Sequence, residues 1–140
     1  MVSTPLRVLI TGSRAWTDER TLTSALAARA NAAGPTGMVV VHGGCPTGAD
    51  DLADRWVTRN RHLFPGLTVE RHPAQWTAEG RAAGPLRNTR MVALGADVCL
   101  AFPLNASIGT RDCMRKAMAA GIKVVDHEPK PDDTLSLFDL

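Results

Sequence analysis

The 140-residue sequence lacks several features that would assign it to a specialised class of protein. No apolar run approaches the roughly 18 residues of a membrane helix, so we expect no membrane-spanning segment. The three cysteines, Cys45, Cys99 and Cys113, form no CxxC pair. Their odd number disfavours a disulfide scaffold, and their spacing disfavours a zinc cluster. Since no signal-peptide pattern precedes the first apolar run, these absences together predict a reduced, cytoplasmic protein.

A strong excess of one charge is also missing. The formal net charge is +2, which does not indicate a strongly electrostatic nucleic-acid binder. The charge is nevertheless uneven, because residues 1–125 hold 15 Lys or Arg against 9 Asp or Glu, whereas residues 126–140 hold 1 against 5. A mildly basic body suits an anionic small ligand, and the acidic end predicts a separate tail.

Short apolar runs alternate with segments of helical periodicity along the chain. The hydrophobic content of 44% and the charged content of 21% fit one globular domain. Most of the runs are apolar throughout, which is typical of strands covered on both faces. The sequence predicts an α/β fold, a three-layer Rossmann-like parallel sheet of about five strands flanked by helices. The predicted strands are 6–10, 38–41, 67–71, 98–102 and 122–126, and the predicted helices are 18–33, 50–62, 85–94 and 110–120.

Segments rich in glycine and hydroxyl groups follow these strands, at the edge where a parallel sheet places its ligands. One of them, Gly43-Gly44-x-x-x-Gly48, joins a strand to a helix, and glycines let backbone N–H groups approach a phosphate closely. It lacks the Lys-Ser/Thr of a Walker A loop, so a ligand loop and a tight turn both remain open. Asp50 is either the N-cap of the next helix or a catalytic carboxylate.

Further candidates lie near the start of the last helix. Gly109 and Thr110 form a second candidate phosphate cradle, and the alternative is a simple N-cap by Thr110. Asp112 is either a general acid or base, or it only complements the helix dipole.

Four side chains are candidates for direct contact with a ligand. Arg87 suits bidentate binding of an anion, and Asn88 suits a ribose hydroxyl or a base edge, although both are equally typical of a solvated helix start. Trp16 and Trp76 each follow a strand, where either would stack on a base or cover the end of the sheet.

Four motifs stand out: Thr11-Gly12-Ser13-Arg14, the segment 43–50 (GGCPTGAD), the segment 83–91 (AGPLRNTRM) and Gly109-Thr110. Taken together, they resemble the SLOG superfamily, and within it the YspA (YpsA-related) branch found in bacteria and their phages. The resemblance implies a Rossmann-like SLOG domain over residues 1–128 that binds a nucleotide or a nucleotide-derived ligand and forms homodimers.

The superfamily includes the LOG enzymes, which cut the N-glycosidic bond of nucleoside monophosphates with an Arg from an R-K-x-x-M helix and a Glu after a P-G-G-x-G-T loop. Arg87-Asn88-x-x-Met91 is similar to the first element, with Asn in place of Lys. At the position of the Glu this chain has Cys113, and Asp112 lies one residue short. Because neighbouring helix residues point about 100° apart, we expect Asp112 to be a poor substitute.

Residues 129–140 are predicted to be an acidic flexible tail. Within it, Thr134-Leu135-Ser136-Leu137-Phe138 resembles the bacterial sliding-clamp peptide Q-L-S/D-L-F without its leading Gln. Leu135, Leu137 and Phe138 would insert into the groove of a clamp, or else fold back onto the domain or close a dimer.

Three functional hypotheses follow: a binding or sensing domain for a phosphate-bearing nucleotide-derived ligand, a hydrolase of a nucleoside monophosphate, and a replication or repair accessory protein recruited through its tail. We assign no metal and no firm cofactor. The catalytic candidates are Arg87, Asp50 and Asp112. The ligand-binding candidates are Gly12, Ser13, Arg14, Trp16, Gly43, Gly44, Thr47, Gly48, Asp50, Trp76, Arg87, Asn88, Gly109 and Thr110.

Overall fold

Five parallel strands form the centre of the structure, a computed structural model that describes residues 4–129. The order across the sheet is β3-β2-β1-β4-β5. The predicted α/β fold is confirmed, and each observed strand overlaps a predicted one. The strands are β1 (Leu6–Gly12), β2 (Met38–His42), β3 (Leu67–Arg71), β4 (Val98–Phe102) and β5 (Lys123–Asp126).

Helices cover the sheet on both faces and complete the three layers. Val8 and Ile10 of β1 pack into a cluster with α1 and α2, whereas the intervening Leu9 packs with α4 and α5. This alternation explains why β1 is apolar throughout, since both of its faces are buried. The helices are α1 (Glu19–Ala33), α2 (Gly48–Asn60), α3 (Trp76–Glu79), α4 (Ala83–Ala93) and α5 (Ile108–Ala119).

The strand order creates a crevice at one edge of the sheet. The chain runs from β1 outward through β2 to β3 and then crosses to β4 on the other side of β1. At such a reversal the loops leaving neighbouring strands diverge to opposite faces, and ligands bind between them at the carboxyl ends of the strands. The loops after β1, β2 and β4 therefore surround the candidate site.

Local sequence explains most helix boundaries. Asp18 caps α1 by accepting a hydrogen bond from the Thr21 N–H at 3.1 Å, and Gly34 ends the helix with φ +58°. The helices α2, α4 and α5 each begin two residues earlier than predicted. The single turn α3 was not predicted, because four residues carry too little periodicity.

Two expectations concern membranes and the tail. Within residues 4–129, every helix falls short of the length and apolarity that crossing a bilayer requires. The clamp-like peptide at Leu135, Leu137 and Phe138 lies outside the described residues, so its role stays a prediction.

An ion pair across β2 gives a pH-dependent prediction. Arg7 donates to both oxygens of Glu70, at 3.1 and 2.9 Å, and His72 Nε2 lies 2.8 Å from the same carboxylate. The hydrogen bond from Arg7, followed by that from His72, lowers the pKa of Glu70 from 4.5 to about 2. Because the folded-state pKa is the lower one, Glu70 stabilises the fold above pH 4.5, and this contribution is lost as the pH falls towards 2.

We expect Glu70→Gln to reduce the free energy of unfolding at neutral pH and to flatten its decline in acid. Urea denaturation at about pH 7 and about pH 3 measures both effects. Glu19→Gln is the control, because Glu19 only approaches Arg59 at 3.7 Å. An unchanged decline in Glu70→Gln would contradict the assignment.

Candidate functional site

A cavity of about 820 Å³ opens at the carboxyl ends of the strands. Its volume lies in the range of small-molecule and cofactor sites. The loops after β1 and β2, the segment from α3 to α4, and the first turns of α5 line it. The charged residues in its wall are Arg14, Arg81, Arg87, Arg115, Asp50 and Asp112.

Most of the predicted site residues meet in this cavity, although they come from four separate segments. Thr47, Gly48 and Trp16 are the exceptions, since they do not line it. The predicted residues that do line it are Gly12, Ser13, Arg14, Gly43, Gly44, Asp50, Trp76, Arg87, Asn88, Gly109, Thr110 and Asp112.

Trp16 belongs to the hydrophobic core. Its side chain is 3% exposed and packs edge-to-face against Phe102, with ring centroids 5.3 Å apart. The indole N–H donates to the carbonyl of Asp18 at 2.9 Å. The prediction that Trp16 stacks on a ligand base is therefore wrong, because it covers the end of the sheet instead.

The glycine loop after β2 turns its N–H groups inward. Gly44 N–H donates to His42 Nδ1 at 2.9 Å, and Cys45 N–H donates to the Asp50 carboxylate at 3.2 Å. Two N–H groups of the loop are thus already paired within the protein, which corrects the interpretation of this loop as a phosphate cradle.

Close packing explains the glycines of this loop. A Cβ on Gly48, which has φ +74°, would collide with the backbone of Ser13 and Arg14, and a Cβ on Gly43 would collide with the Arg87 guanidinium. Gly48 thus lets the loops after β1 and β2 approach each other. Gly43 makes room for an arginine of the site.

Asp50 is the third residue of α2, and the N-cap position belongs to Thr47, so the N-cap interpretation of Asp50 is wrong. Its side chain is 8% exposed. Burial raises the pKa of Asp50 above its usual range, against the opposing effects of His42, Arg87 and the loop N–H groups. Asp50 therefore organises the loop and presents a carboxyl group that holds a proton more readily than an exposed one.

A chain of polar contacts behind the loop was missed from the sequence. His42 Nε2 lies 2.7 Å from Asp54, and Asp54 accepts a hydrogen bond from Arg71 Nε at 2.6 Å. Since His42 Nδ1 accepts from Gly44, its Nε2 carries the proton and donates to Asp54. The only signal in the sequence is the four-residue spacing from Asp50 to Asp54, which places both on one side of α2.

Arg87 is held in place from two sides. Its Nε donates to Asn88 Oδ1 at 2.9 Å, and its Nη1 donates to the carbonyls of Gly43 and His72. Across residues 4–129, Nη2 has no hydrogen-bond partner. One edge of a fixed guanidinium is therefore free to bind an anion.

Asn88 is buried between α4 and α5, with 4% of its surface exposed. Its Nδ2 donates to the Gly109 carbonyl and to Asp112 Oδ2, both at 3.1 Å, while its Oδ1 accepts from Arg87. Both amide donors are used, so Asn88 cannot donate to a ribose or a base without breaking these bonds. Asn88 is a positioning residue, which corrects the interpretation that it binds a ribose hydroxyl or a base edge.

The first turn of α5 presents unpaired N–H groups to the cavity. Ser107 is the N-cap residue, not Thr110, and the two hydroxyls lie 2.7 Å apart. Within the part of the chain that the structure describes, the N–H groups of Ile108, Gly109 and Thr110 have no hydrogen-bond partner. Unpaired N–H groups at a helix start form an anion-binding arrangement, reinforced by the helix dipole.

Asp112 lines the cavity, and Cys113 is fully buried in the core. Asp112 accepts a hydrogen bond from Asn88 across the helix pair, and the expectation that it is a poor substitute for the LOG Glu stays a prediction. Although partial burial acts to raise it, hydrogen bonds from Lys116 and Asn88 lower the pKa of Asp112. Asp112 is therefore an ionised carboxylate near neutral pH.

Trp76 keeps an accessible ring at the edge of the cavity. Its side chain is 50% exposed, and the guanidinium carbon of Arg14 lies 5.9 Å from the ring centroid. Gly84 packs against one edge of the indole, and a Cβ on Gly84 would lie 3.3 Å from the ring. Trp76 thus combines a fixed position with a surface for stacking.

A family model matches residues 6–78, and its description is the YspA, cpYpsA-related SLOG family. The chain belongs to this family. The match runs from β1 into α3, so it includes Gly43 and Asp50, while Arg87 and α5 lie beyond it. This SLOG protein is also similar to the Gene 61 protein of Mycobacterium phage D29, with 54% identity over 125 residues that cover 89% of this chain and 98% of that protein.

The packing of Gly48 gives a stability prediction. Gly48→Ala places a side chain at positive φ against the Ser13 backbone, so we expect a loss of about 1–3 kcal/mol in the free energy of unfolding. Gly109→Ala is the matched control, because a Cβ there meets open space. We expect that control to change the free energy by less than about 0.5 kcal/mol. Urea denaturation measures both, and equal losses would contradict this role of Gly48.

Proposed function

We propose that the protein binds a phosphate-bearing nucleotide or nucleotide-derived ligand in this cavity. One observation carries the proposal. Among residues 4–129, the unpaired N–H groups of Gly109 and Thr110 and the free edge of Arg87 all lie in the wall of one cavity. Charge-assisted hydrogen bonds of this kind are among the strongest available to a phosphate. The ligand is bound by α5 and Arg87, and not by the N–H groups of the glycine loop.

Asn88 supports the proposal because it joins the two groups that bind the anion. The same side chain holds Arg87 through its oxygen and the Gly109 carbonyl through its nitrogen. The relative position of guanidinium and helix start is therefore set before any ligand arrives. Such preorganisation reduces the entropic cost of binding.

Trp76 accounts for the nucleotide part of the proposal. A half-exposed indole at the cavity edge offers a flat apolar surface for a nucleobase. The cavity volume of about 820 Å³ leaves room for a sugar between the base and the phosphate. Membership of the SLOG family favours the same ligand class.

A specific observation also favours a second candidate function, hydrolysis of an N-glycosidic bond in a nucleoside monophosphate. Asp50 and Asp112 line the same cavity, and their pKa values are displaced in opposite directions. Two carboxyl groups of this kind divide the roles of acid and base between them. Asp50 would hold the proton, Asp112 would stabilise an oxocarbenium-like charge, and Arg87 would bind the phosphate. Release of free base from AMP, lost in Asp50→Asn and Asp112→Asn, tests this candidate.

We expect Arg87→Ala to weaken binding of a nucleoside monophosphate at least tenfold, because about 1.5–3 kcal/mol is typical of a hydrogen bond to a charged group. Calorimetric titration with AMP, GMP, CMP and UMP measures the change, and adenosine shows whether the phosphate is needed. Arg61→Ala is the control, since Arg61 is exposed after α2 and does not line the cavity. If no monophosphate binds to the wild type, or Arg87→Ala has no effect, the proposal is overturned.

A further inference from the structure

The cavity holds more positive charge than one phosphate group needs. Resting on the proposed function, we infer that the ligand carries at least two separate phosphate groups. The inner one binds at the start of α5 and Arg87. The outer one binds at a rim of exposed cavity-lining arginines, which we call the arginine rim: Arg14, Arg81 and Arg115.

Neighbouring carboxylates offset the charge of the rim arginines only weakly. Among residues 4–129, Arg14 and Arg81 have no ion-pair partner, and Arg14 instead stacks over Trp76. Arg115 is 70% exposed, and its nearest carboxylate oxygen, on Asp112, is 3.9 Å away. Unpaired arginines alone are common on a surface. These three differ because three separate segments bring them to one cavity.

The carboxylates of the cavity do not offset this charge. Asp112 is already paired with Lys116 at 2.8 Å. Asp50 is buried and is hydrogen-bonded to the N–H groups of its own loop. A phosphate monoester brings about two negative charges, and the helix start together with Arg87 is sufficient to bind it. Among residues 4–129, the rim has only the long contact of Arg115 with Asp112 as a counter-charge.

Two of the rim arginines reach the cavity from other walls than the helix start. Arg14 lies in the loop after β1, and Arg81 lies between α3 and α4. Arg115 lies seven residues after Ile108, and its guanidinium is 3.9 Å from Asp112. The two groups of donors therefore match two anionic centres along one ligand, with Trp76 beside the outer one.

Two kinds of molecule supply this chemistry. A nucleoside diphosphate or triphosphate carries adjacent phosphates, whereas a 5′-phosphorylated dinucleotide carries two phosphates separated by a sugar. Calorimetric titration with AMP, ADP, ATP and a 5′-phosphorylated deoxyadenosine dinucleotide distinguishes them. The dinucleotide without its 5′-phosphate shows whether both groups are needed.

We expect ADP, ATP or the phosphorylated dinucleotide to bind at least tenfold more tightly than AMP and with a steeper salt dependence. Arg81→Ala should remove this gain and leave AMP affinity within about twofold of wild type, and Arg81→Lys should restore part of it. Arg61→Ala should change neither affinity. The doubly phosphorylated ligand that binds most tightly identifies the source of the second phosphate.

This inference is overturned if AMP and every doubly phosphorylated ligand bind with equal affinity and the rim variants have no effect. The proposed function still stands in that case. If none of the nucleotides binds, this inference and the proposed function both fail.

Discussion

The side-chain amide of Asn88 is the contact on which the site depends. It joins Arg87 on α4 to Gly109 and Asp112 on α5, and it is buried with its donors and its acceptor paired. Without it, the partly buried guanidinium of Arg87 and the Asp112 carboxylate would each lose a charge-assisted hydrogen bond, at a cost of about 1.5–3 kcal/mol. The geometry of the anion site is thus a consequence of how two neighbouring helices are held together.

The two loops of the site have different tasks. The glycine loop turns its N–H groups towards His42 and Asp50, so it stabilises the wall behind Arg87. The helix start at α5 faces the cavity, and its N–H groups are unpaired within residues 4–129. A glycine-rich sequence after a strand indicates close backbone packing, and whether the N–H groups face a ligand depends on which acceptors lie nearby.

Periodicity and turn residues were sufficient to predict the layers and the edge of the sheet that carries the site. They could not predict hydrogen-bond direction, which is why the sequence predicts a candidate phosphate cradle in the glycine loop and a candidate ligand contact at Asn88. Asp112 lines the cavity and Cys113 is buried because of how α5 packs against the sheet and α4, and this packing is weakly marked in a sequence. Arg81 and Arg115 were not singled out, because an exposed arginine leaves no periodic signal.

The central claim is that α5, and not the glycine loop, provides the backbone N–H groups for the phosphate. Backbone amide NMR spectra recorded during titration with AMP, and separately with inorganic phosphate, test it most directly. The account predicts large shifts for the amides of Gly109 and Thr110 and small ones for Gly43 and Gly44. Large shifts in the glycine loop with an unperturbed α5 start would contradict it.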